Sequence, residues 1–527
     1  MRACHTRSRT QATEGLRTSM QPVDLIYSAA ARHPDAVAVE APGVSIGYGE
    51  LATRADALAV ALQAIDPEPQ SRVGICAYNN VEHLIALLAV MAADKIWVPL
   101  NPLDASRALG TKISAARPSL LIADEACLDK FDPGAATVLI GARDNDRTPT
   151  DAQRIDTLIA RHRDQQPRRR GLPPALTQAI KFTGGSSGEP KGVLQPYRAW
   201  TAGASSMIHA FEFGPADRYL MAAPLTHGTS CYVTPILAVG GTLVFMEGKT
   251  TSGKVLDAFQ EKDITTSFLP PTLIYMMMQA MEQEPRRFER LRLLIYGAAI
   301  MPPEKIRQAR ALFGPVIATN YGLTEAPQII TALTPEEAID ESTIASVGRA
   351  SFMTRVGIVG SAGELLPAGE QGEIVISGDL LMSGYLDNPE QSAEALVDGW
   401  LHTGDVGYLD ERGYLFLKDR LKDVIISGGF NVYPSDVEAA LAAHPAIHEC
   451  VVFGRPDEKW GEAVQVAIEL REGADASAED IIEFAKQQVG SVQAPKQVHF
   501  VDSLPRSPVG KVQRREVRAM TERVDGK

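Results

Sequence analysis

The sequence has few of the features that mark secreted, membrane-spanning or nucleic-acid-binding proteins. The most apolar run, residues 84–91, is too short for a bilayer span of about 20 residues, so no transmembrane segment is expected. A formal net charge of −13 disfavours nucleic acid as a partner, because backbone binding needs a basic surface. The cysteines are odd in number and lack metal-site spacing, which argues against a disulfide framework and predicts a cytoplasmic protein: Cys4, Cys76, Cys127, Cys231 and Cys450.

The first 19 residues lack the apolar core of a signal peptide. They contain four arginines and a single acid, Glu14. We expect a disordered tail, or translation that begins at Met20, and a targeting role is the alternative. At 527 residues the chain is too long for one hydrophobic core, so two to four domains are expected.

Two stretches alternate short apolar runs with helical patterns, which is typical of α/β layers. In the first, residues 20–180, apolar runs occur at 36–39, 72–76, 96–99 and 120–123. In the second, residues 198–330, they occur at 242–245, 267–269 and 293–296. The basic segment at residues 161–170 is interpreted as solvated surface.

The pattern changes twice towards the C-terminus. Residues 345–418 are rich in glycine and alternate with period two, which predicts a small β-barrel or sheet with a hairpin at residues 407–417. After Arg420 a compact α+β domain is expected, in which Ser435 caps a helix and Glu438 completes a capping box. We therefore predict an N-terminal domain at residues 20–420 and a C-terminal domain at residues 421–527.

The loop at residues 181–192 is the most informative motif. Gly184, Gly185 and Gly188 let the backbone curl closely around an anion, and successive N–H groups in such a turn form a concave anion site. Lys191 lies three residues past Gly188, which does not fit the spacing of a P-loop. The loop predicts a phosphate cradle of another class, and a flexible surface loop is the alternative. Its polar side chains are Thr183, Ser186, Ser187 and Lys191.

Five further segments carry candidate site residues. Residues 297–299 are small and follow a predicted strand, and residues 320–325 follow the next one, where α/β sheets bind ligands. Asp405 and Arg420 would together suit a ribose diol, and Lys511 lies behind a Pro/Gly-stiffened loop. Taken singly, these segments also read as a packing turn, surface charges or a solvated tail lysine.

Taken in order, these segments resemble the core motifs of the adenylate-forming superfamily. That family includes acyl-CoA synthetases, aryl-CoA ligases, non-ribosomal peptide adenylation domains and beetle luciferase. The resemblance covers roughly residues 25–520, with matches at 183–192, 320–325, 401–405, 419–433 and 505–511. The loop has Gly-Gly-Ser-Ser-Gly where the family usually has Ser-Gly-Thr-Thr-Gly, which keeps the hydroxyls. The resemblance implies an α/β fold, with two α/β subdomains and a small β-barrel followed by a mobile α+β domain.

The resemblance also implies the residues that contact ATP. The loop side chains hold the β- and γ-phosphates, and residues 297–299 with Tyr321 flank adenine. Asp405 and Arg420 bind the ribose. The full implied set is Thr183, Ser186, Ser187, Lys191, Gly297, Ala298, Ala299, Asn320, Tyr321, Gly322, Thr324, Asp405, Arg420 and Lys511.

Four of the implied roles are catalytic. Lys511 would bridge the acid carboxylate and the α-phosphate, which Thr324 also touches. Glu325 would bind Mg²⁺, and His227 would gate the acid pocket. The remaining roles are acid binding by His227, Gly228 and Gly297, a pantetheine passage at Gly428 and Gly429, and a hinge at Lys422.

The resemblance implies ATP, Mg²⁺ and coenzyme A as cofactor and co-substrates. Residues 221–234 contain no aspartate for an amino-acid substrate and no arginine for a second carboxylate. We therefore expect a stand-alone acid–CoA ligase for an aliphatic or aromatic monocarboxylic acid. Transfer to the phosphopantetheine of a carrier protein is the main alternative. A catalytically inactive binding relative and luciferase-like oxidation are more distant ones, and a homodimer is compatible with the sequence.

Overall fold

A computed structural model describes residues 20–130, 136–140, 153–184, 190–428, 430–506 and 512–525. Of the predicted site residues, Ser186, Ser187, Gly429 and Lys511 lie outside the described residues. None of the described helices is long and apolar enough to cross a membrane.

The first α/β segment runs from residue 22 to residue 196. Its helices are α1 (Pro22–Arg32), α2 (Tyr48–Ile65), α3 (Val81–Ala92), α4 (Ser106–Ala116) and α5 (Ile155–His162). Its strands are β1 (Val37–Ala41), β2 (Val44–Gly47), β3 (Arg72–Cys76), β4 (Ile96–Leu100), β5 (Leu120–Asp124), β6 (Ala136–Ile140), β7 (Gln153–Arg154), β8 (Thr177–Gly184) and β9 (Pro190–Pro196). The apolar run at residues 84–91 forms part of α3, which is buried on all sides.

The second α/β segment follows directly. Its helices are α6 (Tyr197–Phe211), α7 (Ser230–Ala238), α8 (Ser252–Glu261), α9 (Pro271–Gln283) and α10 (Pro303–Phe313). Its strands are β10 (Arg218–Leu220), β11 (Thr242–Val244), β12 (Thr266–Leu269), β13 (Leu293–Tyr296), β14 (Ile317–Tyr321), β15 (Thr331–Leu333) and β16 (Arg349–Ala350).

The two segments form two large sheets. A nine-stranded sheet has the order β16-β15-β14-β13-β12-β10-β11-β1-β2 and is parallel from β14 to β1. The other α/β sheet is parallel from β8 to β7 in the order β8-β4-β3-β5-β6-β7, and β9 joins its β8 edge antiparallel. The largest buried apolar cluster draws on both sheets and on α1, α2, α3, α6 and α7, so these helices fill the space between them.

The rest of the chain forms two smaller sheets. Residues 354–420 contain α11 (Pro389–Ala395), β17 (Thr354–Val359), β18 (Gly372–Gly378), β19 (Gly384–Tyr385), β20 (Leu396–Val397), β21 (Trp400–Leu409) and β22 (Leu415–Arg420). All of these strands except β19 form one antiparallel sheet, while β19 extends the sheet of β9. The C-terminal sheet contains β23 (Ile425–Ser427), β24 (Phe430–Val432), β25 (Ile447–Asp457), β26 (Gly461–Leu470) and β27 (Gln497–Phe500), with α12 (Pro434–Leu441), α13 (Ala478–Gln493) and α14 (Arg514–Asp525). The predicted α/β class with a C-terminal α+β unit is confirmed.

One local prediction was wrong. Helix α12 begins at Pro434 after Tyr433, and the Ser435 hydroxyl donates to the Lys418 carbonyl oxygen instead of capping the helix. The Lys418 carbonyl oxygen is 17 positions away in the sequence, and the fold brings it within hydrogen-bond distance of the Ser435 hydroxyl. The basic segment at residues 161–170 is mostly exposed, as predicted, and Arg169 is an exception because it stacks 3.9 Å above the Tyr27 ring and pairs with Asp56.

Gly348 offers a test of the close packing at the β15–β16 edge of the nine-stranded sheet. Its φ is +89°, and a Cβ there would lie 1.8 Å from the Ala332 carbonyl oxygen. We expect Gly348→Ala to destabilise the fold by more than about 3 kcal/mol, because backbone must move. Gly363 has a similar φ of +84° with nothing within 4 Å, so Gly363→Ala should cost only about 1 kcal/mol. Chemical denaturation measures both, and equal losses would contradict the packing.

Candidate active site

The predicted site residues gather where the sheets meet. Gly297 follows the end of β13, and β14 ends at Tyr321, so both lie at the carboxyl edge of the parallel strands. That edge is where open α/β sheets bind ligands. The hairpin β8–β9 supplies Thr183 and Lys191, and the hairpin β21–β22 supplies Asp405 and Arg420, from other sheets.

Asp405 and Arg420 are brought together by the hairpin β21–β22, in which they are direct cross-strand partners. The Arg420 Nε lies 2.6 Å from the Asp405 Oδ1, and the Tyr321 hydroxyl donates to Oδ2 at 2.6 Å. Burial, and then the charge of Asp405, raises the pKa of Tyr321, so this hydroxyl stays protonated as a donor. The contact fixes the carboxylate between two sheets.

The hairpin β8–β9 presents the ends of the phosphate loop. Thr183 and Lys191 are cross-strand partners at its tip, so the hydroxyl and the ammonium flank the loop on opposite strands. The serine hydroxyls at 186 and 187 lie outside the described residues. Gly192 is needed for packing, since a Cβ there would lie 3.0 Å from the Leu386 Cβ.

Tyr385 connects this hairpin to the predicted metal ligand. Its strand β19 pairs with β9, and the Lys191 ammonium lies 5.4 Å from the centre of its ring. The Tyr385 hydroxyl donates to the Glu325 Oε1 at 3.0 Å. Burial, and then the charge of Glu325, raises the pKa of Tyr385, which keeps the hydroxyl a donor. The side chain of Tyr385 therefore contacts both charged residues: its ring contacts Lys191 and its hydroxyl binds Glu325.

A second tie holds Thr324. The Gln195 Nε2 on β9 donates to the Thr324 carbonyl oxygen at 2.8 Å, and its Oε1 accepts from the Trp200 indole at 3.1 Å. The indole fixes the orientation of the amide, because only the oxygen can accept. Thr324 and Glu325 are thus both anchored to the phosphate hairpin.

Glycines at the strand ends allow close contacts. A Cβ on Gly297 would lie 2.9 Å from the Phe268 ring and 3.1 Å from the Asn320 Oδ1, and a Cβ on Gly322 would lie 2.4 Å from the Gln328 backbone. Next to Gly297, Ala298 has a left-handed φ of 68° and is exposed together with Ala299. A left-handed conformation costs a residue with a Cβ roughly 1–2 kcal/mol, and such strain is concentrated at functional sites.

His227 and Gly228 lie in the turn before α7. Burial, and then the charges of Lys181 and Lys112, lowers the pKa of His227 to about 4, so its imidazole is neutral at pH 7. The Lys181 ammonium donates to the His227 carbonyl oxygen at 3.2 Å and to the Ser230 hydroxyl at 2.8 Å. This buried lysine on β8 therefore fixes the turn relative to the phosphate hairpin.

The described part of the C-terminal site lies near the domain junction. Lys422 is in a 3-10 turn, Leu421–Asp423, directly after β22. Gly428 has a φ of 60° and donates its N–H to the Trp460 carbonyl oxygen at 2.7 Å. A Cβ on Gly428 would lie 3.2 Å from the Trp460 ring, so the glycine permits close packing there.

Arg514 links both sides of the junction. Its guanidinium lies 3.2 Å from Asp419 and 3.3 Å from Asp423, which stand before and after Lys422. It also pairs with Glu438 at 2.9 Å, and burial raises the pKa of that carboxyl. The start of α14, just after position 511, is thus attached to the junction.

The donors present fit a nucleotide with Mg²⁺. The Asn320 Nδ2 donates to the Gln328 carbonyl oxygen at 2.9 Å, which leaves its Oδ1 as a buried acceptor with no partner within the described ranges. Such an acceptor suits the exocyclic amine of adenine. The described residues contain no cluster of three metal-ligating side chains. A single carboxylate, Glu325, is nonetheless enough, because Mg²⁺ commonly uses one or two carboxylates and the substrate phosphates.

Sequence reasoning missed five residues of the site. Tyr385, Gln195 and Lys181 act through contacts between distant strands, and Gln328 and Arg514 carry no obvious motif. One signal was available: a lysine at 181 between the apolar residues Ile180 and Phe182. The residues predicted for the ribose and metal sites do come together, and their roles stay predictions.

Family models match most of the chain. The description "AMP-binding enzyme" matches residues 26–386, and "AMP-binding enzyme C-terminal domain" matches residues 436–511.

Three curated relatives match nearly the whole length. The medium/long-chain-fatty-acid–CoA ligase FadD8 of Mycobacterium tuberculosis is 33% identical, over 96% of this chain and 91% of its own. Indoleacetate–CoA ligase of Aromatoleum aromaticum is 33% identical, over 93% of this chain and 96% of its own. The fatty acid–acyl-carrier-protein ligase ScoC of Streptomyces coeruleorubidus is 30% identical, over 93% and 94%.

A solved structure has the same overall fold. The amide bond synthetase McbA of Marinactinospora thermotolerans superposes with a TM-score of 0.84 at 29% identity, over 95% of this chain and 100% of that one. With the motif order, the two family matches and the relatives in agreement, the chain belongs to the adenylate-forming superfamily of AMP-binding enzymes.

Proposed function

We propose that the chain is an ATP-dependent acid–CoA ligase that activates an aliphatic or aromatic monocarboxylic acid as an acyl-adenylate. The observation that carries the proposal is the convergence of Lys191, Glu325 and the Asp405–Arg420 pair from three sheets. A nucleoside triphosphate requires a cation for its phosphates, a carboxylate for Mg²⁺ and a charged pair for its ribose diol. Relatives named as ligases of a fatty acid and of indoleacetate support both acid classes.

In the first half-reaction an oxygen of the acid carboxylate attacks the α-phosphorus of ATP, and the bond to pyrophosphate breaks. The two reactants are anions, so catalysis consists of positioning and charge neutralisation. Thr183 and Lys191 would hold the terminal phosphates, Thr324 the α-phosphate, and Lys511 both reacting groups. Mg²⁺ held by Glu325 supplies further positive charge when bound.

In the second half-reaction the CoA thiol attacks the acyl carbon, loses its proton, and AMP leaves with the electrons of the broken bond. We infer that the C-terminal domain turns about Lys422 between the two steps, so that Lys511 withdraws and the Gly428–Gly429 face arrives. Such gating is a hinge motion. The close packing of Gly428 on Trp460 would give pantetheine a narrow passage.

One assay tests the proposal against its alternatives. The purified chain is given ATP, Mg²⁺ and a panel of acids, with either CoA or a phosphopantetheinylated carrier protein as acceptor. We expect acid-dependent ATP–pyrophosphate exchange and a CoA thioester detected by mass. A thioester on the carrier alone would favour the carrier-protein reading, which the relative ScoC supports. Absence of exchange with every acid would favour an inactive binding relative.

Lys511→Ala separates the two half-reactions. We expect adenylate formation to fall by at least roughly 10²–10³, because a charge that neutralises the transition state is lost. Thioester formation from synthetic acyl-adenylate should stay within a few-fold of the unchanged protein. Lys486→Ala is the control, since that lysine is on the surface of α13 and pairs only with Glu483 among the described contacts. Equal loss in both half-reactions would rule out the assigned role.

Tyr385→Phe tests the link between the loop and the metal ligand. The change removes the hydroxyl that donates to Glu325 and keeps the ring beneath Lys191. A hydrogen bond to a charged group contributes about 1.5–3 kcal/mol, so we expect the Mg²⁺ concentration for half-maximal exchange to rise by about tenfold or more. Direct Mn²⁺ binding should weaken in parallel. Tyr408→Phe is the control, since that ring stacks on Phe416. An unchanged metal requirement in Tyr385→Phe would contradict the link.

A further inference from the structure

Gln328 is a backbone outlier that the nucleotide chemistry does not use. Its φ is 69°, in the left-handed region that costs a residue with a Cβ roughly 1–2 kcal/mol. Glycine or asparagine is the ordinary choice at such a position. The chain nevertheless carries a long amide side chain there, which points to a use for that amide.

The turn that holds Gln328 packs closely against the residues that end and follow β14. Its carbonyl oxygen accepts from the Asn320 Nδ2 at 2.9 Å, and its backbone leaves no room for a Cβ on Gly322. The direction of the Gln328 side chain is therefore set by the same turn that positions Thr324 and Glu325.

The Gln328 amide reaches the proposed acid-binding turn. A Cβ on Gly228 would lie 2.7 Å from the Gln328 Oε1, so the glycine leaves space that the amide fills. Both residues are partly exposed, so the amide faces open space as well as protein. The amide lies near the Tyr232 hydroxyl, which accepts from the Asn320 Nδ2 at 3.1 Å.

Aromatic rings surround the inner side of this amide. Tyr232 is stacked between Tyr219 and Phe268, with ring centres 5.2 Å and 5.3 Å apart. Phe268 in turn borders Gly297, the other glycine of the proposed acid site. A single amide that can both donate and accept is thus set in a largely apolar wall.

We propose that Gln328 is a specificity residue of the acid site, which selects carboxylic acids that carry a hydroxyl or N–H group beyond the reacting carboxyl. The inference rests on the proposed function, since the acid site is defined there. A plain hydrocarbon acid would cover the amide and leave its hydrogen bonds unmade. A site built to hydrogen-bond a substrate group discriminates strongly against the analogue that lacks it.

Matched acids test the inference in the ATP–pyrophosphate exchange assay of the full chain. The pairs are phenylpropanoate and its para-hydroxy derivative, naphthylacetate and indoleacetate, and octanoate and omega-hydroxyoctanoate. We expect kcat/KM to favour the polar member of at least one pair by about tenfold or more. The two aromatic pairs and the octanoate pair show whether the preferred polar acid is aromatic or aliphatic.

Two variants assign the preference to Gln328. Gln328→Gly removes the amide and relieves the left-handed backbone, so it should fold at least as well and bring the ratio for the preferred pair close to one. Gln328→Asn keeps a shorter amide, tolerates the same φ and should keep part of the preference. Gly363→Ala serves as the control with an unchanged ratio, because nothing lies within 4 Å of its Cβ.

Failure of the inference differs from failure of the proposed function. If no acid supports exchange, the proposed function is wrong. If exchange occurs but every pair gives a ratio near one, or if Gln328→Gly leaves the ratio unchanged, Gln328 has only a structural role and the inference is overturned.

Discussion

The hydrogen bond from Tyr385 to Glu325 joins two parts of the molecule that belong to different sheets. Lys191 extends from the sheet of β8 and β9, whereas Glu325 follows the last parallel strand of the nine-stranded sheet. Without a tie across that gap, the distance between the phosphate cation and the acidic residue would follow every movement of the sheets. The Gln195–Thr324 contact adds a second tie a few residues away. The Tyr321–Asp405 contact does the same for the five-stranded sheet. Preorganisation of the site therefore depends on three hydrogen bonds between sheets, of which one is buried and two are partly buried.

The strands could be predicted from the sequence because parallel strands buried on both faces appear as short apolar runs. Arg72–Cys76 and Leu293–Tyr296 have the predicted bounds, and Asp405 and Arg420 are neighbours because a hairpin with a short turn sets their register. The failures have one cause. Ser435 and Glu438 have the spacing of a capping box, yet their partners are Lys418 and Arg514. Tyr385 and Gln195 were missed for the same reason, because their partners are distant in the sequence. Tyr385 contacts Glu325, which is 60 positions away, and Gln195 contacts Thr324, which is 129 positions away. Local patterns do not contain such partners.

The domain junction carries a constraint of its own. Arg514 pairs with Asp419 and Asp423, on the two sides of Lys422, and with Glu438 in the C-terminal unit. A large rotation about Lys422 would separate the two aspartates from a common partner, so at least one of these ion pairs would have to break. Because Arg514 is only three positions after Lys511, movement of the segment that carries Lys511 would also move this guanidinium. Removing one partner from a partly buried pair leaves an uncompensated charge, so this cluster contributes to the preference between the two proposed arrangements.

Backbone strain in the described residues has two distinct origins. Nine non-glycine residues have a positive φ, and four of them, Asp94, Arg117, Glu212 and Asp263, follow helices, where a left-handed residue ends the helix. Asp387 and Asp398 belong to a residue type that tolerates this conformation. Ala298, Gln328 and Gln70 have neither explanation. Ala298 and Gln328 border glycines of the proposed site, whereas Gln70 precedes β3 and donates its N–H to the Asp94 carbonyl oxygen at 2.8 Å. Strain that no helix end requires must be balanced by contacts, and those of Gln328 all lead to Asn320, Tyr232, Gly228 and Gly322. Two of the three non-glycine residues whose left-handed backbone has no such explanation therefore border the proposed site.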